Sequence, residues 1–237
     1  MGYTTDFKGE IYFNKPVDPA LKEYINRFSE SRHMKRDVSI LKKKDKNWKK
    51  FCWKGQLGEE GQFYARSDRN PSLWNDEPIP ESIINYNAPP DDIPWLWCHW
   101  IINEAGNLQW NGAEKFTCYT EWLRYLIKNF FEPEGYVLNG RIQYWGMDPS
   151  DWGKIEVHNN IVERFPAKCN AEFEGNVLKL SMPEWILAEI EKVAASKNVS
   201  VEYLFGRYIK WIALNPEQFK EWLWGGIMGV IRYQMEK

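Results

Sequence analysis

Between positions 95 and 100 the chain reads Trp-Leu-Trp-Cys-His-Trp, a thiol and an imidazole set among three indoles. A thiol beside an imidazole is the equipment of a nucleophilic enzyme or half of a zinc site. Extended-chain geometry argues against both. Alternate residues share a face, so Leu96, Cys98, Trp100 and Ile102 point one way and Trp95, Trp97, His99 and Ile101 the other. Cys98 then reads as a core thiol. Trp95, Trp97 and His99, with Trp110 further on, form the face that would offer rings to a ligand, or stack bases at roughly 1–3 kcal/mol each. Cys52, Cys98, Cys118 and Cys169 are scattered without a CxxC pair, and His33, His99 and His158 are the only histidines, so neither a metal nor a cofactor is expected. The acid pairs Asp91-Asp92 and Asp148/Asp151 sit in Pro-marked turns. With no phosphate loop, HExxH or GxSxG present, the chain reads as a binding protein rather than an enzyme.

A second chemistry is cationic. From Arg32 to Lys50 the chain gathers Arg32, Lys35, Arg36, Lys42, Lys43, Lys44, Lys46, Lys49 and Lys50 against Asp37 and Asp45, with Trp48 inside the run. Arg36, Lys42, Lys43, Lys44, Lys46, Lys49 and Lys50 form a candidate phosphate or nucleic-acid patch. The formal net charge of −2 excludes a uniformly basic nucleic-acid binder, so such a partner would have to be met locally.

The elements that must position these residues follow from periodicity. A strand over 3–13 (Tyr3, Phe7, Ile11, Phe13) precedes a helix over 18–31 with Leu21, Tyr24, Ile25 and Phe28 on one face. Residues 55–94, containing DEPIPES and NAPPDDIP, read as a long loop: a lid, a binding edge or a floppy insertion. WLWCHWIIN and NLQWNG flank a Gly-containing turn at 104–107 as a hairpin. A helix over 115–131 and two strands in GYVLNGRIQYWG and GKIEVHNNIVERF follow. The order strand, helix, two strands, helix, two strands predicts an α+β fold: an antiparallel sheet of split βαβ type, covered on one face by two helices. This domain is expected over 1–165, followed by a linker over 166–175.

Residues 176–237 follow a different pattern. Val177–Met182 alternates as a strand, and Pro183 opens a helix carrying Ile186, Leu187, Ile190, Val193 and Ala194. Ser200 caps a second helix (Leu204, Phe205, Tyr208, Ile209, Ile212), and Asn215-Pro216-Glu217-Gln218 opens a third with Phe219, Trp222, Leu223 and Ile227. A lone strand cannot satisfy its own backbone, which predicts a homodimer through this strand-helix-helix-helix module. The stretch NVLKLSMPEWILAEIEKVAASKNVSVEYLFGRYIKWI resembles a ribbon-helix-helix module. That resemblance implies a two-chain ribbon in the DNA major groove, with Val177, Lys179 and Ser181 towards base edges and Ser200 with the Val199 amide at a phosphate. Leu178, Leu180 and Met182 would be dimer core. Only Lys179 of the three ribbon positions is basic.

The first 165 residues resemble an uncharacterised bacterial and phage group through TTDF, LWCHW, WNGAEKF, GYVLNG and DWGKIEV, which implies no activity. Two functions are therefore expected from different classes. One is a homodimeric DNA-binding regulator whose front domain senses or recruits a partner. The other is a non-enzymatic inhibitor or sequestering protein that binds a protein or small ligand, its tail serving only for oligomerisation. The start MGYTTDFKGE lacks a signal-peptide pattern, and WLWGGIMGVI (222–231) is about half of what spans a bilayer, so a cytoplasmic location without a membrane partner is expected.

Overall fold

The computed structural model describes residues 3–66, 77–148, 151–167, 170–174 and 177–205, with the backbone alone at 170–174 and 177–180. The chain order is β1 (Thr5–Phe13), α1 (Pro19–Ser29), β2 (Lys35–Arg36), α2 (Val38–Lys44), β3 (Ile83–Asn85), β4 (Trp100–Ile102), β5 (Leu108–Trp110), α3 (Tyr119–Leu126), β6 (Leu138–Gly146), β7 (Trp152–His158), β8 (Ile161–Pro166), β9 (Asn170–Glu174), β10 (Val177–Ser181) and α4 (Glu184–Ser196). The fold is mixed α+β. Six strands form one sheet in the order β4-β5-β1-β6-β7-β8, with β5 antiparallel to both β1 and β4. Helix α1 lies between β1 and β4 in the chain while β5 lies between them in the sheet, and α3 bridges β5 and β6 around β1, so both crossovers are split.

Local chemistry accounts for these elements. Asp18 accepts the amides of Ala20 and Leu21 (2.9 and 3.1 Å) to start α1, with Pro19 in the first turn. Its stripe Leu21, Tyr24, Ile25 and Phe28 is buried. Helix α3 continues as a π-helical turn over Ile127–Phe131, and Pro133 and left-handed Gly135 end the segment. The two helices meet through Phe28–Trp122 and Tyr24–Phe130, at 6.0 and 5.4 Å between ring centroids. Asn26 of α1 exchanges two hydrogen bonds with the backbone of Ile102 (2.9 and 2.7 Å), blunting the edge strand β4. Strands β1 and β6 approach so closely that a Cβ at Gly9 would lie 2.3 Å from the Arg141 carbonyl, and one at Gly140 2.5 Å from that of Glu10.

The chain divides into two compact units, Met1–Trp145 with Lys154–Phe165, and Gly146–Gly153 with Pro166–Lys237. In the second unit the structure departs from expectation. The segment expected as a linker contains β9, which pairs antiparallel with β10 of the same chain, so β10 is not a lone strand. Ala167, Ile186 and Ile190 form the small buried core, with Trp152, Met182, Trp185, Leu204 and Phe205 against it, so Met182 packs within its own chain. Helix α4 begins directly after Pro183, and Ser200 Oγ accepts the Tyr203 amide (3.1 Å) as cap of a helical turn over 201–205. The rest of that helix, the third helix and Cys169 lie outside the described residues.

Two further differences concern the first unit. Regular pairing begins only at Trp100, while the Leu96 carbonyl before it is taken by the His33 amide at 2.9 Å. The loop expected over 55–94 contributes Leu57, Tyr64, Ala65 and Ile93 to the interior and the short strand β3, paired with β2.

Candidate functional site

After α1 the chain runs extended along the Pro-rich segment and is tied to it at four points. The amides of His33, Lys35, Arg36 and Asp37 donate to the carbonyls of Leu96, Ala88, Glu60 and Ser82 at 2.7–3.1 Å. Within 83–97 the anchors Ile93 and Leu96 point inward, which leaves Ile84 63% exposed, Trp95 43% and Tyr86 40%. Large apolar side chains left exposed within one short segment are a feature of interaction surfaces.

Arg32 organises this face. Its guanidinium carbon lies 4.3 Å from the Tyr86 ring centroid and 5.8 Å from that of Trp97. Nε and Nη2 donate to the Tyr86 carbonyl (3.2 and 3.1 Å), and Nη2 also to Asn87 Oδ1 (3.3 Å). The cation is held between two rings by three hydrogen bonds, a pre-organised arrangement that costs little further ordering on binding. Trp97 lies parallel to His99 at 6.4 Å, and His99 meets Phe116 edge-on at 5.0 Å, so the stack runs from the surface into the core. At its margin Lys35 pairs with Glu60 (3.2 Å) and Asp91.

The predicted residues fall into three places. Trp95 is exposed and Trp97 half-buried beside Arg32, while His99 is buried and Trp110 is half-buried, packed on Phe7 at 5.5 Å with its indole N–H donated to Ala113 O. Cys98 is buried on the opposite side, accepts from Ser29 Oγ at 3.7 Å, and has its pKa pushed up to about 12 by burial, so it diverges from His99. His33, beneath Arg32 in sequence, is also buried. Burial holds its imidazole down to about 3, and Nε2 lacks a hydrogen-bond partner among the described residues.

Arg36 does not belong to the basic patch. It is 3% exposed and donates to Pro78 O (2.7 Å), Ile79 O (3.3 Å) and Ser82 Oγ (3.0 Å), with Glu77 at 3.7 Å. A guanidinium with five donors suits this carbonyl-rich pocket, which explains its burial. Lys42, Lys43, Lys44, Lys46, Lys49 and Lys50 are exposed at the end of α2 and around the 3₁₀ turn Trp48–Phe51.

On the ribbon, the register sets Val177 opposite Glu174, Lys179 opposite Glu172 and Ser181 opposite Asn170. Opposed positions of an antiparallel pair share a face, so the positions expected to read bases share theirs with two glutamates. A cleft of about 560 Å³ between α1 and the 50–54 turn holds Glu23, Arg27, Lys54 and Glu134, but these pair with one another, and burial pushes the Cys52 thiol up. Among the described residues no cluster of three His, Cys, Asp or Glu side chains is placed to hold a metal, and no helix is long and apolar enough to cross a membrane.

Tyr86, Ile84 and the ring-clamped role of Arg32 were not singled out from the sequence. The signal was there in Ile-Ile-Asn-Tyr-Asn preceding Ala-Pro-Pro, apolar residues that a loop has no need to hold. In comparisons with known proteins the chain matches no family model, no curated protein and no solved structure.

Proposed function

We propose that the protein is a non-enzymatic binding protein whose first unit docks a protein partner on the face formed by Ile84, Tyr86, Trp95, Trp97 and Arg32, in the manner of an inhibitor or sequestering protein. The observation that carries this reading is the Arg32 guanidinium held near the rings of Tyr86 and Trp97, with Ile84 and Trp95 exposed in the same 83–97 segment. Trp, Tyr and Arg are the residues most enriched at interface hot spots, and a polar margin such as Lys35–Glu60–Asp91 is what surrounds them. A nucleic-acid partner fits this face less well. Lys35 is neutralised by two carboxylates and Asp92 is exposed nearby, so little free positive charge remains to displace counterions. In this reading the second unit serves only for oligomerisation.

The reading as a homodimeric DNA-binding regulator draws support from the strand, Pro-led helix and Ser-capped turn in the expected order. Glu172 and Glu174 opposite the ribbon positions weigh against it. The test is affinity capture with the full chain and with a Tyr86→Ala/Trp95→Ala variant, followed by titration of the retained protein. The expected outcome is one specific protein bound at least about ten-fold more weakly by the variant, the size of a hot-spot truncation. Equal affinity for both forms would overturn the proposal.

A further inference from the structure

The six exposed lysines of α2 and the following turn are independent of the docking face. They stand within nine residues whose only acid is Asp45. That carboxylate is turned inward, accepting from Tyr64 Oη at 2.7 Å and the Asn47 amide at 2.9 Å, with Arg66 at 3.2 Å. Lys44 meets Glu81 at 3.8 Å, and no ion pair reaches Lys42, Lys43, Lys46, Lys49 or Lys50 among the described residues. Three lysines at the carbonyl end of a helix are ordinary, because the helix dipole favours them there. Three more beyond the helix, without an ion pair among the described residues, gain nothing from that dipole and repel the first three.

Aromatic rings are interleaved with this charge. Lys42 and Lys49 place their ammonium groups 5.5 and 5.7 Å from the Trp48 ring centroid. Arg27 and Arg66 flank Phe51 at 5.6 and 5.0 Å. Both rings are partly exposed. A cationic strip with accessible rings is how single-stranded nucleic acids are held without sequence preference, the cations tracking phosphates and the rings accepting bases. A duplex keeps its bases stacked away from such rings, and an acidic protein offers carboxylates but no bases.

We infer that the Lys42–Lys50 segment, with Trp48 at its centre, binds single-stranded nucleic acid through its phosphodiester backbone and one or more stacked bases. The test is fluorescence anisotropy of the full chain with labelled oligothymidylate, with a duplex of equal length and polyglutamate as competitors. If four to six phosphates are engaged, raising salt from 50 to 200 mM should weaken binding about 50- to 300-fold. Lys43→Glu/Lys46→Glu/Lys49→Glu, all surface positions, should lose at least ten-fold and flatten the salt dependence. Trp48→Ala should lose roughly ten-fold with the salt dependence kept. The Tyr86→Ala/Trp95→Ala variant should bind like the native chain, which separates this site from the docking face. Unchanged affinity in the triple variant, tighter binding of the duplex, or equal competition by polyglutamate would each overturn the inference. Circular dichroism superimposable on the native spectrum verifies that the variants are folded.

Discussion

Two surfaces of the first unit are built from the same ingredients in opposite proportion. On one, a single cation, Arg32, is held between two rings, Tyr86 and Trp97. On the other, each ring has two cations near it, Lys42 and Lys49 by Trp48, Arg27 and Arg66 by Phe51. The difference decides what each surface can desolvate. The first presents apolar area with its charge already satisfied by the Tyr86 carbonyl and Asn87, so covering it with a protein strands no ion. The second presents charge with little apolar area, so only a partner that brings its own anions covers it at low cost.

Both surfaces should fail together if the scaffold they share is removed. Arg36 fixes residues 78–82, to which both β3 and the start of α2 are tied, since the Asp37 amide donates to Ser82 O at 2.7 Å. Arg36→Met should cost on the order of 3 kcal/mol in denaturant unfolding and weaken both binding activities together. Arg36→Lys should restore little of it, because one ammonium cannot reproduce the guanidinium fork.

Acid should separate the two surfaces. The His33 pKa is depressed from its ordinary 6.5 to about 3, so the stability of the neutral imidazole is fully present above pH 6.5 and is lost as pH falls towards 3. The slope is at most one proton, about 1.4 kcal/mol per pH unit, so unfolding at pH 5 should be easier by about 2 kcal/mol from this residue. His33→Gln should remove that part of the pH dependence, and partner binding at the Arg32 face, tied to His33 through Leu96 O, should decline with acid sooner than oligothymidylate binding.

How far these surfaces were legible in the sequence differs for a physical reason. The charge strip could be read directly, because adjacent lysines stay adjacent on a short helix and turn. Arg36 could not be told from its neighbours, because its burial depends on carbonyls more than forty positions away, at Pro78 and Ile79. Facing within WLWCHW was readable from the period of two, although the pairing starts only at Trp100. The core stripes of α1 and α3 were equally readable from their helical spacing, whereas the strand order β4-β5-β1-β6-β7-β8 was not, because it depends on long-range pairing that no local pattern encodes. The docking face needed long-range contacts between 32–37 and 82–96 that no local pattern encodes. The strand β9 was missed because Asn-Ala-Glu-Phe-Glu carries a single large apolar residue, and its pairing with β10 is what makes it a strand.

A crossed pair of variants should tell the two surfaces apart. The lysine charge reversal should leave protein capture unchanged while losing at least ten-fold on oligothymidylate, and Tyr86→Ala/Trp95→Ala should do the reverse. The smallest effect is expected in the second unit. Ser200 Oγ is engaged with the Tyr203 amide, so Ser200→Ala should lower the stability of that unit by about 1 kcal/mol and leave both affinities alone. A loss of duplex-DNA affinity in that variant would instead favour the phosphate role implied by the ribbon-helix-helix resemblance.

The most direct measurement is amide hydrogen exchange on the full chain alone and in complex with the captured protein. A docking face centred on Arg32 requires slowed exchange within 83–97 and 31–36, with 42–51 and 177–205 unchanged. Protection confined to 177–205, with 83–97 exchanging as in the free chain, would contradict it.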